Sequence, residues 1–378
     1  MSLAAVVTTA EEESLRADVR AFLQQEREQH DLRVGLGMAA GYDAPFSRRL
    51  AQRGWVGMSV PTTYGGSGYS AVQRFVVVEE LLAAGAPVTA HWIADRQIAP
   101  SIQRYGTEAQ RQRFLPAITR GECFFSIGMS EPDAGSDLAS VRTTATPVPG
   151  GWRLNGVKIW TSLAHLNHYV LVLARVQGTT PAQRQLVQLI VDTSSPGIEV
   201  QPILLLTGEH HFNSLFLNDV HVPDSLILGE PGAGWEQVTN ELVLERSGPD
   251  RFLSALPLLR LFLDEVQTRS DDHLATVLGR ALARLWAVRQ MSLAVARLLD
   301  SGLPASLYSS MAKDLGTLLE QDIVEAVRRL GDVQITQDGD TAFMRLLEEA
   351  VLMAPSFTIR GGTTEVLRSI IARRMDEL

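Results

Sequence analysis

The segment Trp152-Arg153-Leu154-Asn155-Gly156-Val157-Lys158-Ile159-Trp160-Thr161 departs from the helical spacing before it and runs on a period of two around an Asn-Gly pair. A period of two marks a half-buried strand, and Asn-Gly supplies the positive φ angles of a type I′ turn. The segment therefore predicts two short strands joined as a hairpin. Outward from it, Tyr169–Val176, 185–192 and 214–222 are further β-branched or alternating runs, bounded by Gly, Pro, Ser and Asn. Together they predict a middle β domain over residues 124–235.

On both sides the period is helical. Apolar residues recur every three to four positions in 15–22, 72–83 and 110–118, separated by turn clusters such as Pro61-Thr62-Thr63-Tyr64-Gly65-Gly66 and Gly85-Ala86-Pro87. Thr107 ahead of Glu108 reads as an N-cap. Residues 1–123 thus predict an N-terminal all-α domain. After Gly232-Ala233-Gly234 the helical period returns, with Leu274, Leu278, Leu285, Val288, Val295 and Leu299 on one face, opposite Arg280 and Arg284. Residues 236–378 predict a C-terminal domain like a four-helix bundle. The expected fold class is α+β, as helices, then strands, then helices.

With 378 residues, 45% of them hydrophobic, the chain has material for a sizeable core. A formal charge of -9, both signs interspersed, speaks against nucleic acid or an anionic membrane as main partner. No run of about 18 apolar residues occurs, so no membrane span is expected. The start, MSLAAVVTTAEEE, turns acidic at once and lacks a signal-peptide pattern, so a cytoplasmic setting is expected. The lone Cys123, beside Phe124 and Phe125, reads as core filler. His210 and His211 would point to opposite faces of a strand, and no metal is expected. Lys158 and Lys313 are the only lysines, which leaves few candidates for Schiff-base chemistry.

Three stretches bear on chemistry. Met129-Ser130-Glu131-Pro132-Asp133-Ala134-Gly135-Ser136-Asp137 is a Ser/Gly/Asp-rich loop after an apolar run. Lys158-Ile159-Trp160-Thr161-Ser162 offers a flat indole beside hydroxyls. Ile359-Arg360-Gly361-Gly362-Thr363-Thr364-Glu365 sets unhindered amides before a helical run, as an anion or cofactor clasp requires. Read singly, each has a plain alternative: a turn, a core tryptophan, a Thr-capped helix.

Their order and separation along essentially the whole chain resemble the acyl-CoA dehydrogenase family. Gly54-Trp55-Val56-Gly57 and Phe216-Leu217-Asn218-Asp219-Val220 add weaker matches. The resemblance implies FAD-dependent α,β-dehydrogenation of an acyl-CoA thioester to the enoyl-CoA. It further implies an electron-transfer flavoprotein as acceptor and a homo-oligomer, dimer or tetramer. Residue by residue, it implies that Ser130, Trp160, Ser162, Thr363 and Glu365 contact FAD, and that Ser136 and Arg246 hold the CoA part of the substrate.

The reaction needs a carboxylate base in a dry pocket, and the family carries it in one of two places. One is the residue before the C-terminal Gly-Thr, here Gly361, which cannot act as a base but still offers its amide to the thioester oxygen. The other lies early in the third domain, where Leu244-Glu245-Arg246 matches the subclass typified by isovaleryl-CoA dehydrogenase. Glu245 is therefore the expected base, although without that frame it reads as a surface glutamate paired with an arginine three or four residues away. Arg360, beside the expected acyl pocket, reads as a solvated arginine or as a partner for a polar acyl chain.

Two family signatures for flavin binding, Arg-x-x-Phe-Gly and Gln-x-x-Gly-Gly, are absent. The corresponding stretches are Thr268-Arg269-Ser270-Asp271-Asp272 and Leu330-Gly331-Asp332-Val333-Gln334. Their absence keeps a second reading open, a non-catalytic or half-site subunit of a heteromeric dehydrogenase. An acyl-CoA oxidase and a dehydrogenase of carrier-protein thioesters are enzymatic variants.

Overall fold

The structure, a computed structural model, describes residues 7–30, 32–37, 40–177, 185–269, 271–331 and 341–375. It has two compact units, one of residues 44–68 and 90–242, the other of 1–43, 69–89 and 243–378. Helices together with a mixed sheet make the class α+β, as expected from the sequence.

The first unit is built on eight strands: β1 (Phe125–Gly128), β2 (Thr144–Val148), β3 (Gly151–Ser162), β4 (Tyr169–Val176), β5 (Leu186–Asp192), β6 (Ile198–Leu204), β7 (His210–Pro223) and β8 (Ile227–Leu228). They form one sheet in the order β6-β7-β3-β2-β4-β5-β8, with β1 parallel to β4. β4 and β5 are buried along nearly their whole length, consistent with their continuous Val/Leu/Ile runs. The helix Glu108–Thr119 packs Phe114 against Phe125 and Tyr169, with ring centroids 5.7 and 5.2 Å apart. Its start is closed by a capping box in which Thr107 and Gln110 satisfy each other's backbone N–H. Cys123 is buried at this core, and burial pushes its thiol up to about 12.

The Asn155-Gly156 hairpin expected from the sequence is not formed. Residues 151–162 are one continuous strand, and the tight turn lies at Pro149-Gly150, with Gly150 at φ +77° between the paired Val148 and Gly151. Asn-Gly marks a bulge instead: the register against β7 shifts between Leu154 and Gly156, and Gly156 adopts φ +152°. A Cβ on Gly156 would lie 2.5 Å from Thr143 Oγ1 and 2.7 Å from Thr143 Cα, so the glycine permits a close backbone approach. Asn155 is used as a cross-strand bracket, donating to Asp219 Oδ1 at 3.0 Å and accepting from the Asp219 amide at 2.9 Å. Gly156→Ala is expected to lose about 1–3 kcal/mol, read as a lower urea midpoint at unchanged m-value.

The second unit is helical. Its long helix Ser306–Leu330 contacts the helices Asp272–Asp300, Ala342–Phe357 and Thr364–Met375. Of the apolar stripe read from the sequence, Leu274, Val288 and Val295 are buried, while Leu278, Leu285 and Leu299 are partly exposed. The helices Ala10–Gln29 and Ala71–Ala83 are joined by a buried ion cluster in which Arg16 meets Glu79 at 2.7 Å and also Glu80. Among the described residues no helix is long and apolar enough to cross a membrane.

Candidate active site

In the sheet unit, the loop after β1 is fixed by a buried ion pair. Lys158 on β3 is fully buried and donates to Glu131 Oε1 at 2.8 Å and to the Met129 carbonyl at 3.0 Å. Glu131 also accepts from the Arg142 and Thr143 amides at 2.6 and 2.8 Å. Burial alone would raise the Glu131 carboxyl, but the Lys158 ammonium and the hydrogen bonds from Lys158, Thr143 and Arg142 together outweigh it and hold the group below its ordinary value. Between the two anchored residues lies Ser130, its carbonyl accepting from the Ile159 amide at 2.9 Å. Ser130 is thereby registered against the strand that carries Trp160.

The backbone of that strand is strained where it ends. Trp160 has φ +59° and Leu163 has φ +55°, a region bulky residues rarely enter and one that clusters at ligand sites. The indole of Trp160 is 53% exposed and meets Phe212 edge-on at 5.7 Å. Among the described residues the Ser130 and Ser162 hydroxyls have no protein partner, whereas the Ser162 carbonyl accepts from Ser126 at 2.7 Å. An open aromatic face with two uncommitted hydroxyls fits what a tricyclic flavin ring requires. Ser136 is exposed on the same loop. His210, which stacks on His165 at 3.7 Å, bonds Asn213 through Nε2 at 2.7 Å.

In the helical unit, Glu245 lies near the end of the helix Gly234–Ser247, with its side chain 15% exposed. It is not the surface glutamate of the plain reading. Its partner Arg251 is six residues on and 1% exposed, donating from Nη2 to Glu245 Oε1 and from Nε to the Glu245 carbonyl, both at 2.8 Å. A Cβ on Gly361 would lie 3.0 Å from Glu245 Oε1, so the carboxylate occupies the space that a side chain at 361 would claim. Residues 245 and 361 thus converge on one spot, and only the first of them carries an acid.

The Gly361-Gly362 turn is gripped by cations. Arg246 Nε donates to the Gly361 carbonyl at 2.9 Å and Lys313 Nζ to the Gly362 carbonyl at 2.8 Å. Burial, together with the neighbouring Arg251, Arg360 and Arg246, brings the Lys313 ammonium down to about 7, against the pull of Glu245. Gly361 and Gly362 adopt φ +68° and +100°. Among the described residues the amides of Gly361, Gly362 and Thr363 donate to no protein acceptor, ahead of the helix Thr364–Met375. Thr363 accepts from the Val366 amide at 3.4 Å, and Glu365 is exposed in the first turn. The Glu365 carboxyl is held below its ordinary value by its own amide and the Thr363 hydroxyl.

Arg360 corrects the sequence reading. It is largely withdrawn from solvent, 20% exposed, and Nη2 donates to Ser254 Oγ at 2.8 Å and to the fully buried Glu320 at 3.1 Å. Lys158, Arg251 and Lys313 were missed as site residues. For the lysines a signal existed, because a chain whose other cations are all arginine retains lysine only here, and both are fully buried. Arg251 carries no such mark. Of the two departing stretches, Ser270 and Asp332-Val333-Gln334 lie outside the described residues.

Residues 9–122, 126–220 and 260–376 match, in order, the N-terminal, middle and C-terminal domains of acyl-CoA dehydrogenase. The acyl-CoA dehydrogenase FadE29 of Mycobacterium tuberculosis is 32% identical over 340 residues, 86% of each chain. FadE34 of the same organism, also named an acyl-CoA dehydrogenase, is 32% identical over 334 residues, which are 86% of this chain and 45% of that longer protein. Among solved structures, the Tcur3481-Tcur3483 steroid ACAD matches with a TM-score of 0.86 at 26% identity, covering 100% of this chain and 99% of that one. This chain belongs to the acyl-CoA dehydrogenase family of flavoprotein oxidoreductases.

Proposed function

We propose that this chain uses FAD to convert an acyl-CoA thioester to its enoyl-CoA, with Glu245 as the base. The observation that carries the reading is the Glu245 carboxylate standing in the space left by the missing side chain of Gly361. Glu245 takes the α-proton, and the freed Gly361 amide donates to the thioester oxygen as negative charge develops there. A bound flavin supplies the acceptor for the hydride that leaves the β-carbon. Ser130, Trp160 and Ser162 are assigned to the flavin ring, Thr363 and Glu365 to the rest of FAD, and Ser136 and Arg246 to the CoA part. An electron-transfer flavoprotein is the assigned acceptor, and a homo-oligomer, dimer or tetramer, the assigned assembly.

Purified protein is expected to be yellow and to bleach anaerobically with a suitable acyl-CoA. The panel spans straight, branched and steroid-linked thioesters, the last because a similar structure is named a steroid ACAD. Colourless protein that FAD cannot reconstitute overturns the reading. Oxygen uptake during turnover would move it to an oxidase, and turnover with carrier-linked thioesters alone to the carrier-protein variant.

A second reading, a half-site subunit paired with a related chain, is favoured by the two missing flavin signatures and by likeness to a structure named for two chains. One FAD per chain in the isolated protein removes it.

A further inference from the structure

The guanidinium of Arg251 is buried where a structural role alone is a poor account of it. An ion pair taken out of water gains little net stability, and an apolar side chain of similar volume often does better. Yet the fold is notched to admit this segment: a Cβ on Gly316 would lie 2.4 Å from the Arg251 carbonyl. Both of its bonds to Glu245 fall on one residue, Nε on the carbonyl and Nη2 on the carboxylate, so the planar fork fixes backbone and side chain together. Nη1 is buried with no acceptor among the described residues, a group not optimised for stability.

We propose that Arg251 is a positioning residue for the base, its guanidinium holding Glu245 as a carboxylate above Gly361 before substrate arrives. This rests on the reading of Glu245 as the base. The charges around Glu245 and its partner Arg251 come from several elements: Arg246 on the helix of Glu245, Asp250 and Arg251 on the turn Pro249–Arg251, Lys313 and Glu320 on the helix Ser306–Leu330, and Arg360 on the turn before Thr364–Met375. Arg251 bonds the Glu245 carboxylate directly, Nη2 to Oε1 at 2.8 Å. Asp250, which Arg251 Nε meets at 3.2 Å, shares its charge and sets how much of it Glu245 sees.

The test reads proton abstraction alone, as loss of α-deuterium from a labelled acyl-CoA into water, followed by NMR on the flavin-loaded protein across pH. In Arg251→Gln, which keeps amide donors without charge, the acid limb of the exchange profile is expected to move up by about one pH unit or more. The plateau rate is expected to fall at least tenfold while the half-saturating substrate concentration holds. Arg251→Lys restores the cation and is expected to return the limb to its wild-type position at a reduced plateau. An unmoved limb in Arg251→Gln overturns the proposal. Should Arg251→Gln not fold, Arg251→Lys carries the test by itself, and a wild-type plateau there overturns it. Wild-type protein that exchanges no α-deuterium, or Glu245→Gln that exchanges as fast as wild type, instead overturns the assignment of Glu245.

Discussion

Glu245→Gln is expected to fold, bind FAD and substrate analogues, and lose turnover by about 10³-fold. Glutamine keeps the size and a donor–acceptor amide, so its carbonyl oxygen can still accept from Arg251 where the carboxylate did at 2.8 Å. What it cannot do is accept the α-proton. Because the interaction lost belongs to the transition state, kcat and kcat/KM should fall together, with KM little changed. Stopped-flow bleaching of the flavin band with a good substrate reads the step directly. Near-normal rate would place the base elsewhere, and loss of flavin would mean that the substitution acts through the fold.

Lys158→Met is expected to be the most damaging change to stability, about 3 kcal/mol or more, and to weaken flavin retention. Its methylenes are replaced, so packing is largely kept. The loss comes from Glu131, stranded as a buried anion with only two amide donors. The pH dependence follows in sign. In the wild type the Glu131 carboxyl lies below its ordinary value, while burial brings its partner Lys158 down to about 8, so the pair's contribution is present from the unfolded carboxyl pKa up to about pH 8 and fades as pH falls through the lower folded one. In the variant Glu131 prefers to be protonated, so the gap to wild type should narrow as pH drops from 8 toward 5. Adding Glu131→Gln should recover a large part of the loss. Urea melts at two pH values check this, and a gap that widens in acid would contradict the burial argument.

Much of the fold was legible because period reports burial. Tyr169–Val176 emerged with its observed ends, since a strand buried along its length reads as a continuous apolar run. Thr107 could be read as a cap from two neighbouring residues. The Asn155-Gly156 pair misled because positive φ serves a bulge as well as a turn, and the deciding contact, with Thr143, is twelve residues away from Asn155 in sequence. The candidate residues Ser130, Trp160, Glu245 and Gly361 were singled out through local segments whose residue order is itself informative. Arg251 was not, because it lies outside those segments and its meaning comes from the pocket that closes over it. The reach of Arg360 toward Glu320, forty residues apart, was equally out of view.

Both lysines of the chain have no water-accessible surface in the folded protein. Reagents and enzymes that attach groups to side-chain amines, from succinimidyl esters to acetyl and ubiquitin transferases, therefore find no target while the native state holds. Modification at Lys158 or Lys313 would register opening of the structure, and its rate would track how often those segments come apart.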